Sequence, residues 1–236
     1  MIIINGKVFT GNIRIINGRV VGDTERSGKT QQFDETRRED SSNIERITIN
    51  TETVDVSLTP SDASEIVARM HGTAELDGSV NFDFRTVNRE LMITQDFSGS
   101  FFEDKLKIDI SIPRKTFKAI SMETQTGDLT LAEGISVESL KVKTQTGDIE
   151  CKASLNDISI NTQTGDVNLC INATTDIYFD VNTQAGNVSA NFKNIAQLYI
   201  RAKSTIGNVR NRHSPTPYGH SATGRIHSQT GNIRVR

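Results

Sequence analysis

The sequence predicts an all-β protein: a single-stranded parallel β-helix (β-solenoid) of about six coils, preceded by a capping region of β-strands. The pentapeptide Thr-Gln-Thr-Gly-Asp occurs three times, and degenerate copies continue it, with glycines spaced 18 to 24 residues apart. This spacing matches one coil of a repeat protein and is too long for a heptad. Much of the remaining chain alternates apolar and polar residues, as strands with one buried face do. A right-handed helix is the favoured form.

The first 43 residues divide into a strand-forming segment and a polar stretch. Residues 1–21 contain two near copies, residues 4–8 and 16–20. Their Asn-Gly dipeptides favour tight turns, so this segment is predicted to resemble a β-hairpin. Residues 22–43 are almost entirely polar, which predicts a linker or surface loop.

Residues 44–116 are predicted to form the β-rich N-terminal part, or cap, of the solenoid. Period-two runs such as residues 54–58, Val-Asp-Val-Ser-Leu, indicate strands with one buried face. Residues 61–70 fit either a short helix or a strand with Ile66 and Met70 on one face. The strand is the preferred interpretation.

Residues 117–236 are predicted to form the coils, with one repeat at each corner. Counted from the glycine, positions −7, −5, +2 and +4 are mainly apolar and are expected to point inward, together with the threonines at −3 and −1. The glutamine at −2 is expected to point outward. Because the inward parity changes across the glycine, the chain needs a corner there, and glycine tolerates positive φ. The predicted turn column is Gly127, Gly147, Gly165, Gly186, Gly207 and Gly231.

Equivalent residues of successive coils are expected to stack about 4.8 Å apart, so each position becomes a column. The threonine and glutamine columns are interpreted as structural ladders. The column after the glycine contains Asp128, Asp148 and Asp166 and then three asparagines. A cation could reduce the repulsion between three stacked carboxylates, but calcium requires about six to eight oxygen ligands. We therefore interpret these residues as turn formers that bond their own backbone, and predict no metal and no cofactor.

The composition fits a soluble globular protein and sets limits on its location. The start of the chain lacks the pattern of a secretory signal, and no apolar run is long enough to cross a membrane. The expected location is therefore cytoplasmic, unless an export signal has been removed, and no membrane insertion is expected. Cys151 and Cys170 would lie on opposite faces of their coils, so both are predicted to be free thiols.

The charge is unevenly distributed along the chain. No acidic residue follows position 180, so 19 basic residues against all 29 acidic ones leave residues 1–180 with a net charge of −10. The outward positions of the last coils instead carry the candidate surface for an anionic ligand or partner: Arg201, Lys203, Arg210, Arg212, Arg225, His227, Arg234 and Arg236.

An acidic protein surface, a polyanion or the acidic end of another copy would match this basic surface. An alternative is that the basic residues form a solvated face that protects the last sheet edge from pairing. Nucleic acid is not favoured, because Trp is absent and few aromatic residues offer stacking platforms.

The alternating strands from residue 44, a lead-in at residues 106–113 and the successive Thr-x-Thr-Gly-Asp repeats resemble a bacterial domain family of unknown function labelled "putative adhesin". The resemblance covers about residues 44–236. It implies a parallel β-helix, and the family supplies no established catalytic residues to transfer.

Three functional hypotheses follow. The first is a non-catalytic structural or binding module that takes an anionic ligand or partner at the basic C-terminal coils. The second is a self-assembling scaffold that stacks head to tail, as bactofilin-type proteins do. The third is a polysaccharide-active enzyme that would use the aspartate column, with Asp148 and Asp166 beside Lys141 and Lys143.

Overall fold

The computed structural model describes residues 2–4, 7–9, 14–16, 19–21 and 29–236, and these residues contain strands and turns without a helix. Two short antiparallel pairs come first: β1 (Ile2–Ile4) with β2 (Lys7–Phe9), and β3 (Arg14–Ile16) with β4 (Arg19–Val21). The Asn-Gly turns between these strands and residues 22–28 lie outside the described residues.

The other sixteen strands form one sheet. In chain order they are β5 (Lys29–Asp40), β6 (Arg46–Thr53), β7 (Asp55–Ser61), β8 (Glu65–Val87), β9 (Glu90–Asp104), β10 (Lys107–Pro113), β11 (Thr116–Thr126), β12 (Leu129–Thr146), β13 (Ile149–Thr164), β14 (Val167–Asn172), β15 (Ile177–Ala185), β16 (Val188–Lys193), β17 (Ile195–Ile206), β18 (Val209–Asn211), β19 (His220–Thr230) and β20 (Ile233–Val235).

Seven of these strands pair in a closed cycle, in the order β11, β6, β9, β8, β10, β7, β12 and back to β11. Within the cycle, β8 pairs antiparallel with both β9 and β10, while β6, β7, β11 and β12 pair in parallel with their neighbours. Strand β5 lies antiparallel against β8 outside the cycle. Alternate residues face a continuous apolar core, as Val56 and Leu58 of β7 do.

The strands of the repeats stack in parallel, with equivalent residues in register. Leu140 of β12 lies beside Ile120 of β11 and Ile158 of β13, as the spacing of the repeats predicts. All six glycines of the predicted turn column have positive φ. At Gly147, where φ is 145°, an added Cβ would lie 2.1 Å from the carbonyl oxygen of Gly127, so the stacked corners have no room for a side chain.

The last repeat does not occupy the end of the stack. Strand β19 lies between β15 and β17, and β20 lies between β16 and β18. Among the described residues, strands β17 and β18 therefore pair on one side only and form a free edge. The segment from Asn211 to His220 carries the chain back into the gap, and its length accounts for the 24-residue spacing before the last glycine.

The prediction of an all-β protein is correct, but a single-stranded parallel β-helix of about six coils is wrong. Seven strands close into a cycle that contains antiparallel pairs, further strands extend outside it, and the last repeats stack out of chain order. Alternation of apolar and polar residues is the same in parallel and antiparallel strands. The sequence pattern could not distinguish the antiparallel hairpin of β8 and β9 from another part of a coil.

The prediction of a linker or loop over residues 22–43 is wrong for Lys29–Asp40, which is strand β5. Ion pairs across the strands help to hold this polar segment. Arg69 of β8 donates two hydrogen bonds to Asp34 of β5, at 2.8 and 2.9 Å. Composition missed this strand because its stabilising partners lie far away in the sequence. Residues 65–70 are strand, which is the preferred alternative. Strand β11, which begins at residue 116, pairs with β6 of the N-terminal part, and the proposed division of the chain at residue 116 stays a prediction.

The threonines on either side of the glutamine differ in burial. At −3 they are buried, with Thr124 2% and Thr144 4% exposed, as predicted. At −1 the prediction of inward side chains is wrong, because Thr126 and Thr146 are exposed. The corner therefore begins before the glycine, and the strict alternation of a straight strand ends there.

Candidate binding surfaces

The eight cationic candidates lie together on the outer faces of the last strands, and we term them the basic edge. Across the strands, Arg201 pairs in register with Arg225, Lys203 with His227, and Arg210 with Arg234. Arg212 and Arg236 follow directly after β18 and β20, and their backbone N–H groups donate to the carbonyl oxygens of Val235 and Ala190. Seven of the eight are exposed, and His227 is half-buried.

Within the part of the chain that the structure describes, Arg225 is the only member of the basic edge in an ion pair. It donates to the carboxylate of Asp180 at 2.5 Å, and this hydrogen bond raises the pKa of the Arg225 guanidinium. Asp180, Arg225 and Arg201 occupy one row across β15, β19 and β17. Arg201, the last in the row, has a cation beside it and no carboxylate on its outer side.

The apolar core lacks complete cover at the free edge. Val209 of β18 is 42% exposed, whereas its column neighbours Ile233 and Val188 are each 1% exposed. Leu198 and Ile200 of β17 are also only partly buried. A strand added beside β17 and β18 would cover these side chains and pair with the backbone groups of the free edge.

Two exposed tyrosines flank the basic edge, and the sequence analysis singled out neither as a site residue. Tyr178 of β15 and Tyr199 of β17 lie in one row with Thr223 of β19 between them. They are 63% and 59% exposed and stand two strand spacings apart, about 10 Å. The repeat spacing could not predict this arrangement of the two tyrosines, because β19, a strand from the end of the chain, lies between β15 and β17.

A polar groove of about 930 Å³ crosses seven adjacent strands: β9, β6, β11, β12, β13, β15 and β19. One side is formed mainly by the glutamines at −2, namely Gln125, Gln145, Gln163, Gln184 and Gln229. The other is formed by the residues at −4, namely Glu123, Lys143, Asn161, Asn182 and His227. The glutamines are predicted from sequence to form a structural ladder, and the amides at −4 on the other side of the groove are the sequence signal that this prediction leaves out.

The aspartate column forms hydrogen bonds between strands. The backbone N–H of Asp148 donates to Oδ1 of Asp128 at 2.8 Å, and that of Asp166 donates to Oδ1 of Asp148 at 2.7 Å. Asn187, Asn232 and Asn208 continue the pattern. The predicted bond to each residue's own backbone is therefore replaced by a bond to the neighbouring strand.

Other candidate chemistry within the described residues is limited. They contain no group of three or more His, Cys, Asp and Glu side chains that could hold a metal ion, so the three aspartates do not assemble such a site. Both cysteines are free, and burial raises the pKa of the Cys151 thiol to about 12. The described residues also contain no helix that is long and apolar enough to cross a membrane.

The sequence profile of the family described as Toastrack DUF4097 matches residues 44–211. A crystal structure of a putative cell adhesion protein from Clostridium sporogenes is similar with a TM-score of 0.56 and 13% identity, over 87% of this chain and 99% of that one. A putative adhesin from Bacteroides fragilis has a TM-score of 0.50 and 14% identity, over 89% and 99%. These likenesses concern the fold, and no curated protein matches the sequence.

Proposed function

The chain belongs to the Toastrack DUF4097 family, whose resemblance to "putative adhesins" the sequence analysis anticipated, and we propose that it is a non-catalytic binding module. In this proposal the basic edge takes an anionic partner. The observation that carries it is the concentration of exposed cations on a free sheet edge, where only Arg225 has an ion-pair partner among the described residues.

The arrangement of these cations supports an anionic partner. Arg201 lies directly beside Arg225, and Arg210 lies beside Arg234. Like charges on neighbouring strands repel each other. The Asp180 carboxylate already offsets the positive charge of Arg225 on one side. A carboxylate placed beside Arg201 would extend the same alternation of charge.

The free edge favours an acidic protein segment as the partner. An extended segment can add to an unpaired strand through main-chain hydrogen bonds, while its side chains supply specificity. Here its apolar side chains would cover Val209 and Ile200, and its acidic side chains would face Arg201 and Lys203. The competing interpretation, that the cations only protect the edge from pairing, predicts no such partner.

Association of two copies is a second candidate, because the same free edge could accept an edge strand of another molecule. Head-to-tail stacking would use the free edge of the sheet. That edge belongs to β17 and β18 and not to the last strand of the chain, because β20 lies between β16 and β18. Light scattering at low salt tests this candidate, and a strict monomer at high concentration would reject it.

The test of the basic edge is binding of fluorescently labelled poly-L-glutamate to the full chain. The variant Arg201→Glu, Arg210→Glu, Arg234→Glu is expected to bind about tenfold to a hundredfold more weakly, because it reverses three exposed charges.

The control variant is Lys29→Glu, Arg46→Glu, Lys141→Glu, which changes the net charge equally at exposed cations elsewhere. It should change the affinity by no more than about twofold if the edge is the site. Equal losses in both variants would reject a localised site, as would undiminished binding by the edge variant. Labelled heparin in a parallel titration separates a preference for acidic protein from a general affinity for polyanions.

A further inference from the structure

The polar groove has the geometry of a site for an extended chain. Its seven strands are adjacent and parallel, so its length is six strand spacings, or about 29 Å. Three rows in register build it: the residues at −4, the buried residues at −3 and the outward residues at −2. Each strand therefore offers nearly the same set of backbone and side-chain positions, repeated at one regular interval.

The lining of the groove is rich in amides and poor in unpaired charge. In its central part, Gln145 and Gln163 stand on one side and Asn161 and Asn182 on the other. The Lys143 ammonium lies 3.5 Å from the carboxylate of Glu123, so these two charges offset each other. An amide side chain offers both donors and acceptors, which is the complement of a hydroxyl group.

The row at −3 retains hydrogen-bonding capacity beneath these amides. Apart from Nε2 of His213, which lies outside the groove, the buried polar side-chain atoms without a partner in the described part of the chain are Oγ1 of Thr51, Thr144, Thr162 and Thr183, and Nε2 of Gln95. Buried polar groups normally have a partner in the protein, in ordered water or in a ligand. All five of these residues line the groove.

We propose that this groove binds a neutral, hydroxyl-rich linear polymer, an extended glycan chain, across the strands. The sugar units of an extended chain repeat at a distance comparable to the strand spacing, so successive units can meet successive amide pairs. A polyanion does not suit the groove, since Glu52 and Asp96 form one of its ends. The groove shares His227 with the basic edge but differs from it in chemistry, because amides line most of its length.

The test uses the full chain and three defined probes: cellohexaose, xylohexaose and N-acetylated chitohexaose, titrated to millimolar concentration by calorimetry. At least one probe is expected to bind. The variant Gln145→Ala, Gln163→Ala is expected to weaken that binding by about tenfold, since it removes hydrogen bonds from two adjacent strands. Asn161→Trp is expected to abolish binding by filling the groove.

The matched control is Ser159→Trp, which places the same side chain on the same strand, two residues from Asn161 and outside the groove lining. It should bind like the unmodified chain. No binding of any probe, or equal binding by the Asn161→Trp and Ser159→Trp variants, would overturn the proposal.

The two sites are distinguishable in the same experiments. The groove variants should leave poly-L-glutamate binding unchanged, while the charge-reversed edge variant should leave oligosaccharide binding unchanged. Loss of oligosaccharide binding in the edge variant would contradict a separate groove site, whatever the result for the polyanion.

Discussion

At the scale of single residues, the corner of each repeat depends on a short set of interlocking contacts. Glycine allows the close approach of stacked backbones, as at Gly147 and Gly127. The residue after it accepts a hydrogen bond from the N–H of the next strand through Oδ1. Asparagine has the same oxygen, and Oδ1 of Asn187 and of Asn232 accepts this hydrogen bond in the later repeats.

Two substitutions of Asp148 distinguish the contribution of its hydrogen bond to stability from the contribution of its charge. Asp148→Ala removes the acceptor for the N–H of Asp166 in this solvent-exposed hydrogen bond and is expected to lower the free energy of unfolding by about 0.5–1.5 kcal/mol. Asp148→Asn keeps Oδ1 and should change it by less than about 0.5 kcal/mol. Urea unfolding of both variants measures this difference. Equal destabilisation by both substitutions would indicate that the carboxylate charge is what the corner requires.

At the scale of elements, the insertion of the last repeat is the main departure from sequential stacking. Within the described part of the chain, strands β17 and β18 pair only with β19 and β20, which come later in the sequence. The chain leaves a gap one strand wide between β15 and β17 and between β16 and β18, and β19 and β20 fill these two gaps. Gly224 of β19 suits this gap, because an added Cβ would lie 1.9 Å from the carbonyl oxygen of Phe179 in β15.

Removal of residues 213–236 tests the role of this insertion. Without β19 and β20, the amides of β17 and β18 lose their paired strands and are expected to exchange with solvent at rates close to those of an unfolded segment. Hydrogen exchange of the truncated and full chains measures this effect. The amides of β12, which pairs on both sides within the retained part, provide an internal control. Unchanged protection of β17 would contradict the observed strand order.

At the scale of the whole molecule, the ionised carboxyl groups determine the expected response of stability to pH. Neighbouring groups lower the pKa of several carboxyls. The main causes are the hydrogen bonds from Arg69 to Asp34, from Ser42 to Asp40, from Lys118 to Glu45 and from the Ser221 backbone to Asp176. Asp176 thereby helps to hold the start of the inserted strand β19.

A lowered pKa stabilises the fold when the carboxyl is ionised. This contribution is fully present above the unfolded-state pKa, near 4, and is lost as the pH falls through the lower folded-state pKa. The thermal midpoint is therefore expected to fall steeply below about pH 4. The variant Asp34→Asn, Asp176→Asn should lose less stability between about pH 5 and pH 2 than the unmodified chain.

The control for this pH profile is Asp77→Asn, Glu138→Gln, which alters two exposed acidic residues that have no ion pair among the described residues. It should follow the profile of the unmodified chain more closely. An identical acid response in all three proteins would show that Asp34 and Asp176 do not contribute to it.

Prediction of side-chain exposure from the sequence was correct where a single strand determines it and failed where neighbouring strands do. The outward positions of Arg201, Arg210 and Arg234 follow from alternation, and all three are exposed. Which residues lie beside them on neighbouring strands is known only from the strand register, and so is the position of Tyr178 beside the basic edge. The groove was missed because it exists only when seven corners stand side by side.

The sequence by itself determined the strand content, the apolar columns, the glycine corners and the accumulation of positive charge at the C-terminal end. These properties are local, since they depend on side-chain alternation and on the backbone freedom of glycine. Only the tertiary structure decided the closed cycle through β8 and β9, the order β15, β19 and β17, and the assembly of the groove. Because the repeats are similar, each can bury its apolar side chains against any other repeat. The order of the strands therefore depends on the total apolar surface buried and on backbone pairing in the whole molecule, and no single repeat encodes it.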